Sequence, residues 1–558
     1  MDQSLRSKLD RITNILFAGG VNNPVTYIEQ LSYLIFLKLL DEREGDIERE
    51  RQLLGSAART KSLFPEQASR YRWTQWRFKS GPELCAYLRD EVFPYMASLV
   101  QEEPQVAIYF QDARLEVDDA NVLKQVVDEL DGIQFGKLGT DVKGDIYEYL
   151  LQYLATQEGA LLGQFRTPRQ IRLAMVEMLD PDLGDAIFDP ACGTGGFLID
   201  AVEHVLAKYS DHLREIPIYG EEWLEKKGIT LEEAKKQNPN LQTYRKGAGE
   251  KIPDWQLLER SIFGIEVSRQ MMRISMMNLV LHGIRNAQVK RANALSEMGG
   301  LSDEDLRRRY KVVLSNPPFA GVLPKESIRQ DLPTKSKKSE LLFLGVVMES
   351  LAPGGRAAVI VPEGLLFGSS TGHVELRRKL VEDFDLLAII SLPSGVFRPY
   401  AGVKTAVVIF RKPVTEKKMG TGTVDGGSRR VWFYEVRNDG FDPDKITGGG
   451  RIQTPEKNDI PDLLRQWAAF RASGFQTPPG VEAGEILSAE APDPQSWWAK
   501  PSTIAENEFN LGAVRYKPLR AGKVCDDDPA DLVRKTLEKE RSIVTGLDGL
   551  LQELEVPR

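Results

Sequence analysis

Along the first 150 or so positions apolar residues recur every three or four places. In "LRSKLDRITNILFAG", Leu5, Leu9, Ile12 and Leu16 share one helical face, and Gly19-Gly20 closes the stretch. After Pro24, "YIEQLSYLIFLKLLDERE" repeats the pattern through Leu31, Leu34, Ile35 and Leu39, and the segments between Pro82 and Leu151 read the same way. Residues 1–155 are therefore expected to form an α-helical domain. From about 160 to 412 the texture changes to short apolar runs: "DAIFDP", "SIFGIEV", "KVVLSN", "RAAVIVPEG", "LLAIISLP" and "KTAVVIF". Helical stretches such as "GFLIDAVEHVLAKY" and "MMRISMMNLVLHG" separate the earlier ones. Strands alternating with helices predict an α/β domain over 156–415, a mostly parallel sheet covered on both faces. The last two runs, joined by "SGVFRPYAGV", are too close for a helical crossover. They predict a hairpin that adds an antiparallel strand at the end of the sheet, with every strand of the sheet before residue 412.

The charged segment 213–255 reads as a solvated surface insertion. A Gly/Lys-rich connection at 413–430 leads to the strand-like "VWFYEV" and a Gly/Pro-rich loop, so 416–505 is expected to be a mixed extension. The tail, 506–558, turns helical after Asp528-Pro529. Val533, Leu537, Val544, Leu547, Leu551 and Leu554 alternate by threes and fours there, a stripe suited either to a partner helix or to this chain's own core.

Composition narrows the function classes. A chain of 558 residues, 42% hydrophobic, can hold several cores. It has no apolar run long enough to span a membrane and no apolar signal core in "MDQSLRSKLDRI", which points to the cytoplasm. Its three cysteines and four histidines fall in no ligand spacing, so no metal site is expected. The net charge of -8 is unlike that of most nucleic-acid binders. If DNA is the substrate, local basic patches or a partner must supply the positive surface. One such patch is the loop "LPKESIRQDLPTKSKKSE", with Lys325, Arg329, Lys335, Lys337 and Lys338, which could neutralise phosphates or could be a solvated loop.

Three strand ends carry the candidate chemistry. "FDPACGTGGFLIDA" is a strand end, a glycine turn and a helix start. Gly193, Gly195 and Gly196 let backbone bend tightly and approach a ligand, in a spacing that is neither the dinucleotide nor the phosphate-loop motif. Glu266 ends the next strand, where a carboxylate suits ribose hydroxyls. In "VVLSNPPFAG", two successive prolines fix φ and remove two donors, stiffening the carbonyls beside Asn316. The Asn316 amide oxygen and the Pro317 carbonyl could accept from an exocyclic amino group, with Phe319 stacking on the ring that bears it.

The string Asn316-Pro317-Pro318-Phe319 resembles the catalytic motif of amino-methyltransferases that use S-adenosylmethionine, and "DPACGTGGF" resembles their cofactor motif. "GQFRTPRQI", "MMNLVLHGI", "LPSGVFRPYAGVKTAVVIF", "FNLGAVRYKP" and the N-terminal "PVTYIEQLSYLIFLKLLDERE" extend the likeness along nearly the whole chain. Together they resemble the modification subunit of type I restriction-modification systems.

That resemblance implies a Rossmann-like, mostly parallel seven-stranded sheet with one antiparallel strand, flanked by an N-terminal helical domain and a C-terminal helical tail. It implies N6-methylation of adenine in double-stranded DNA, with S-adenosylmethionine as methyl donor. A separate specificity subunit would read the sequence, joined by a second modification subunit and a restriction subunit. Asn316, Pro317, Pro318 and Phe319 would be catalytic. Gln164, Phe165, Arg166, Thr167, Pro168 and Arg169 would cover the cofactor's methionine part. Asp189, Gly193, Thr194, Gly195 and Gly196 would make the glycine-loop contacts, and Glu266 would hold the ribose. Asn293 stands where the family has Asp, facing the cofactor's adenine amino group, so weaker binding is expected there. Two other readings fit the same residues: a cofactor-binding assembly subunit without catalysis, and a methyltransferase of RNA or of a protein amide.

Overall fold

The computed structural model describes residues 3–20, 23–54, 62–117, 119–135, 167–218, 221–398, 402–414, 430–447, 450–488, 490–520, 533–534, 536–541, 543–545 and 547. Helix α1 (Gln3–Ala18) and the long α2 (Pro24–Leu54) open the chain, with Asn23 Oδ1 accepting from Thr26 N to start α2. Helix α3 (Ala120–Asp131), capped by Asp119, closes the helical domain against them. Of the expected stripe residues, Leu9, Ile12, Leu16, Leu31, Leu34 and Ile35 are buried, while Leu5 and Leu39 are half-buried. Around them Tyr33, Phe36, Phe93, Tyr109 and Phe110 form an aromatic cluster with tilted and edge-on rings.

The α/β domain begins with α4 (Arg169–Leu179), β1 (Ile187–Asp189) and α5 (Gly196–Lys208). A two-stranded ribbon, β2 (Arg214–Pro217) and β3 (Thr243–Lys246), comes before β4 (Ile262–Glu266). Then follow α6 (Arg269–Leu281), β5 (Gln288–Arg291) and β6 (Tyr310–Ser315). After α7 (Ser339–Ser350) come β7 (Leu351–Pro362), α8 (Thr371–Glu382), β8 (Asp385–Ser391) and β9 (Thr405–Arg411). The chain continues through β10 (Val431–Glu435) and a hairpin of β11 (Asp439–Thr447) and β12 (Gly450–Asn458). Helix α9 (Ile460–Ala472), β13 (Val481–Glu482), β14 (Ile486–Leu487) and β15 (Ser496–Ala499) follow.

The main sheet has the order β13-β15-β10-β8-β9-β7-β6-β1-β4-β5. Its centre is parallel through β7, β6, β1, β4 and β5, and β9 is antiparallel to both its neighbours. The expected seven-stranded unit is there, extended to ten strands by β10, β15 and β13 from beyond residue 412. The β8–β9 hairpin forms as expected, but β9 does not end the sheet. It inserts between β7 and β8, pairing with β7 from Arg356↔Arg411 to Pro362↔Thr405. Buried on both faces, "TAVVIF" can serve as an interior strand, where a solvated edge would be a liability.

Alternation along the strands splits the apolar residues between two cores. Val312 and Leu314 of β6 face the layer of α4, α5, α6 and α9, while Val313 faces α7 and α8. The first core is continuous with that of the N-terminal helices. Insertion 213–255 is less solvated than its charge suggests. Leu241, Gln242 and Lys246 are buried, because β3 packs on α5, where Lys246 meets the buried Glu203 at 3.3 Å.

Helix α6 carries the junction between helical and α/β parts. Arg273, 4% exposed in its side chain, reaches into the N-terminal domain and pairs with Glu29 at 2.5 Å. It also donates to the carbonyls of Tyr109 and Gln111, while Gln270 and Tyr33 donate to the two oxygens of Glu29. Removing one partner of a buried pair leaves the other charge unsatisfied, at a cost of about 3–5 kcal/mol. Arg273→Met is therefore expected to loosen the N-terminal domain by that order. In limited proteolysis, cleavage between the helical and α/β parts should speed up and the urea midpoint should fall. An unchanged midpoint with parental cleavage would show that the apolar contacts alone hold the junction.

Candidate functional site

The carboxyl ends of β1, β4 and β6 lie side by side, and each delivers a polar group into the same rim. At β1, Asp189 is buried, and its Oδ1 accepts from Ala191 N at 2.9 Å and from Ser315 Oγ at 2.7 Å. One carboxylate thus ties the start of the glycine loop to the strand residue immediately before Asn316. Burial pushes the Asp189 carboxyl up to about 7, and the nearby Glu266 adds to the rise, against the two hydrogen bonds that favour the charge.

The glycine loop bends as its composition requires. Gly193 and Gly195 have φ of 54° and 80°. At Gly195 a Cβ would stand 2.6 Å from Ser275 Oγ on α6, so the loop is pressed against that helix. Asn278, one turn further along α6, donates to Thr194 O at 3.1 Å. A Cβ at Gly193 would instead meet nothing within 4 Å, so this side of the loop is open to a ligand.

At the end of β4, Glu266 is buried, and burial raises its carboxyl above the usual range. Its Oε2 accepts from Gly193 N at 3.0 Å and its Oε1 from Ser268 N at 2.7 Å. A carboxylate has about four acceptor sites, so capacity for a ribose hydroxyl remains. The open loop and this carboxylate fit the adenosine half of a nucleoside-bearing cofactor.

At the end of β6, Asn316 is half-buried, Pro317 buried and Pro318 exposed. Phe319 packs edge-on against Phe397 at 5.7 Å between ring centroids. Asn316 Nδ2 donates to Thr167 Oγ1 at 2.9 Å, which brings the start of the "TPRQ" segment to the Asn-Pro-Pro-Phe motif. Thr167 is held from behind. Arg172 donates to its carbonyl at 3.0 Å and is itself paired with Asp200 at 2.6 Å, deep in the protein. Arg169 lies over the Tyr244 ring and bonds Glu203, so the 213–255 insertion also buttresses this segment.

Of the residues expected from sequence, the rim holds Thr167, Asp189, Gly193, Thr194, Gly195, Gly196, Glu266 and Asn316 to Phe319, with Pro168 and Arg169 starting α4 behind it. Gln164, Phe165 and Arg166 lie outside the described residues. Asn293 follows β5 at the same edge, with its Oδ1 accepting from Leu295 N at 3.0 Å, so part of its acceptor capacity is spent on its own turn. Arg329 departs from its expected role. It is buried, chelates Asp331 through two nitrogens and donates to Ala294 O, leaving Lys325, Lys335, Lys337 and Lys338 as the exposed cations of that loop. Sequence reading missed Ser315, Arg172, Asp200, Ser275 and Asn278. Ser315 could have been found, since it adjoins Asn316 inside the quoted motif. The others sit in ordinary helical strings.

Fold and rim together define a Rossmann-like methyltransferase of the kind that modifies amino groups. The chain belongs to the N-6 DNA methylase family, whose profile matches residues 138–233 and 244–522, and residues 5–130 match the HsdM N-terminal domain. Of the acceptors that the motif left open, the family's is DNA. The EcoEI type I restriction enzyme methylase subunit of Escherichia coli is 29% identical, over 94% of this chain and 92% of its own length. The StySJI methylase subunit of Salmonella typhimurium is 28% identical, over 78% and 72%. A chain of a type I R-M system solved for its complex assembly and conformational transition superposes with a TM-score of 0.65 at 28% identity, covering 100% of this chain and 99% of that one. The methyltransferase subunit of a type I system from Streptococcus thermophilus shares the fold, with a TM-score of 0.60 at 18% identity over 92% and 99%. No helix of the described residues is long and apolar enough to cross a membrane.

Because Asp189 holds its proton more tightly folded than unfolded, its contribution to stability is full below about pH 4 and is lost as pH rises to about 7. Asp189→Asn keeps an oxygen for Ala191 N and Ser315 Oγ but removes the charge. Its stability relative to the parent is expected to be about 2 kcal/mol more favourable at pH 8 than at pH 5.5, read by urea unfolding at both pH values. An equal difference at the two pH values would show that Asp189 is ionised throughout.

Proposed function

We propose that this chain is the modification subunit of a type I restriction-modification assembly, a site-specific N6-adenine DNA methyltransferase using S-adenosylmethionine. The observation that carries the reading is the rim itself. Asn316-Pro317-Pro318-Phe319 ends β6 directly beside the glycine loop of β1 and the Glu266 carboxylate of β4, joined by Ser315–Asp189 and Asn316–Thr167. The names of the relatives, methylase subunits of type I restriction enzymes, agree with it.

S-adenosylmethionine supplies a sulfonium-bound methyl group as the electrophile. Glu266 would accept from its ribose, and the Gly193–Gly196 turn would carry its backbone approach. Adenine N6 is a poor nucleophile because its lone pair is delocalised into the ring. The Asn316 amide oxygen and the Pro317 carbonyl would draw the amino hydrogens out of conjugation and aim the lone pair. No strong base is needed, and the rate comes mainly from positioning. The target atom is inaccessible in a duplex, so the adenine must be flipped out and stacked on Phe319. Phe319 now stands against Phe397, which would form the floor or wall of that pocket. Exposed Lys325, Lys335, Lys337 and Lys338 could neutralise phosphates beside the flipped base.

Asn316→Ala is expected to abolish methyl transfer with cofactor affinity nearly intact. Glu266→Ala should weaken cofactor binding by about 1–3 kcal/mol, the scale of a charge-assisted hydrogen bond. Calorimetry with S-adenosylmethionine and an N6-methyladenine assay separate the two effects. Parental methylation by Asn316→Ala would refute the mechanism, and unchanged affinity in Glu266→Ala would refute the ribose assignment.

Sequence specificity would come from a separate specificity subunit docked on the tail, within an assembly that includes a second modification subunit and a restriction subunit. The described residues of 533–547 are helical, and Val533, Leu537, Val544 and Leu547 stand 48–59% exposed along one face. Leu551 and Leu554 lie outside the described residues. An exposed apolar stripe on a charged helix marks an interaction surface. Deleting residues 530–558 removes no strand of the main sheet. The truncated chain should stay folded and bind cofactor, yet fail to assemble with the specificity subunit in size-exclusion chromatography with light scattering. A complex of parental size would place the interface elsewhere.

A further inference from the structure

Extruding an adenine deprives its neighbours in the duplex of the stacking that it gave them. Proteins that open a base step commonly fill it with an apolar side chain. Phe367 is placed to do so. Strand β7 pairs with β6 through Ser315↔Val359 and runs on to Pro362, about 10 Å further at the carboxyl-end edge. One helical turn, Glu363–Phe367, follows there. Leu365 and Leu366 are each 1% exposed, whereas Phe367 is 54% exposed. We propose that Phe367 is a wedge for methyl transfer, entering the base stack of duplex DNA where the target adenine has left it. This deepens the N6-methyltransferase reading above and rests on it.

An isolated exposed apolar side chain is ordinary. What marks this one is its mount. Arg377 of α8 is buried and directs its donors at the backbone around Phe367. Its Nη1 donates to Leu365 O at 3.0 Å and to Gly368 O at 2.8 Å, on either side of the phenylalanine, and its Nε donates to Phe509 O at 2.7 Å. Leu366 O accepts from Leu511 N at 2.8 Å. The same segment backs the side chain, since a Cβ on Gly512 would stand 3.8 Å from Phe367 Cβ and 3.9 Å from its Cδ1. The ring is therefore presented on held backbone rather than on a free loop. The surface beside it suits phosphates. Gly372, in the first turn of α8, abuts the lysine loop, where its Cβ would lie 3.4 Å from Ser336 Cβ. Lys335, Lys337 and Lys338 are exposed there, with Glu340 as the one acid of the run "TKSKKSE". Glu363, the acid nearest to Phe367 in sequence, is paired with Lys404 at 2.9 Å. A mounted ring flanked by cations fits base stack and backbone together, whereas an apolar pocket on a protein would not call for the lysines.

The test uses the full-length chain in complex with its specificity subunit, and a duplex bearing the sequence in which the parent complex forms N6-methyladenine. 2-Aminopurine in place of the target adenine reports extrusion by its rise in fluorescence on unstacking. Single-turnover transfer at saturating S-adenosylmethionine is read on two duplexes, with the target adenine paired to thymine or mispaired with cytosine. Phe367→Ala is expected to lose most of the fluorescence rise and to slow transfer about tenfold on the paired duplex, the scale of one lost stacking contact. On the mispaired duplex, where extrusion costs least, it should transfer within about threefold of the parent. Phe367→Tyr keeps the ring and should stay within about threefold on both. Parental transfer by Phe367→Ala on the paired duplex overturns the inference. Equal loss on the two duplexes also overturns it, by making the side chain a structural prop. So does loss of the specificity subunit from the Phe367→Ala complex in size-exclusion chromatography, which would make this face a protein interface. A loss in Phe367→Tyr as large as in Phe367→Ala overturns it too, since a stacking ring would then not be what matters. Absence of N6-methyladenine from DNA treated with the parent complex would refute the function proposed above and this inference with it, whereas the Phe367 variants bear on the inference alone.

Discussion

The rim depends on one buried carboxylate. Asp189 ends β1, and its Oδ1 holds both the loop that turns toward α5 and the serine that precedes Asn316 on β6. Parallel pairing aligns β1 with β6 only along the strands, with Ile187 opposite Val312. Beyond the last pair nothing in a sheet fixes how two chain exits sit relative to each other. Asp189 supplies that constraint where the glycine loop and the Asn316 segment diverge. Burial makes the arrangement costly when ionised, and a site that gathers two buried carboxylates, Asp189 and Glu266, has the perturbed titration expected of functional clusters.

Helix α6 extends this constraint outward. One side presses Ser275 and Asn278 on the glycine loop, and the other sends Arg273 into the N-terminal domain. Packed elements transmit displacement poorly unless they move as a body, and a helix is such a body. The seat of the helical domain and the shape of the glycine loop therefore share one rigid element. The first core, which runs without a break from the N-terminal helices to the sheet, reinforces that coupling.

Much of this was legible in the sequence wherever the signal was local. The glycine turn, the carboxylate closing β4 and the doubly prolyl-clamped asparagine are short strings at strand ends, and each lies where its string placed it. What was not legible is non-local. The insertion of β9 between β7 and β8 and the addition of β10, β15 and β13 depend on pairing between distant segments, which no single run of residues declares. The pairs Arg172–Asp200 and Arg273–Glu29 join positions 28 and 244 residues apart, and each member alone reads as an ordinary helical charge. Lys246 misled in the same way. In "TYRK" it looks solvated, and only the opposing buried Glu203 makes its burial affordable. Arg329 reads as a cation available to phosphates, and at a spacing of two residues loop geometry alone decides that it meets Asp331.

The acidic balance of the chain acquires a physical meaning once the rim is in place. With Arg329 committed to Asp331, the loop after the Asn-Pro-Pro-Phe motif offers four exposed lysines. Each phosphate neutralised on duplex DNA contributes to affinity through counterion release, so a grip of four charges gives only weak, sequence-independent binding. Base sequence is read by groups placed against groove edges, whereas on the proposed reading the rim acts on one extruded base. A chain of net charge -8 that works on DNA must therefore receive both affinity and sequence from elsewhere. The helical tail, with its apolar face turned outward, is the segment of this chain suited to collect them. On the proposed reading, catalysis and recognition are divided between chains. This subunit can then keep a buried, carboxylate-rich cofactor rim without also carrying the large basic face that independent DNA binding would require.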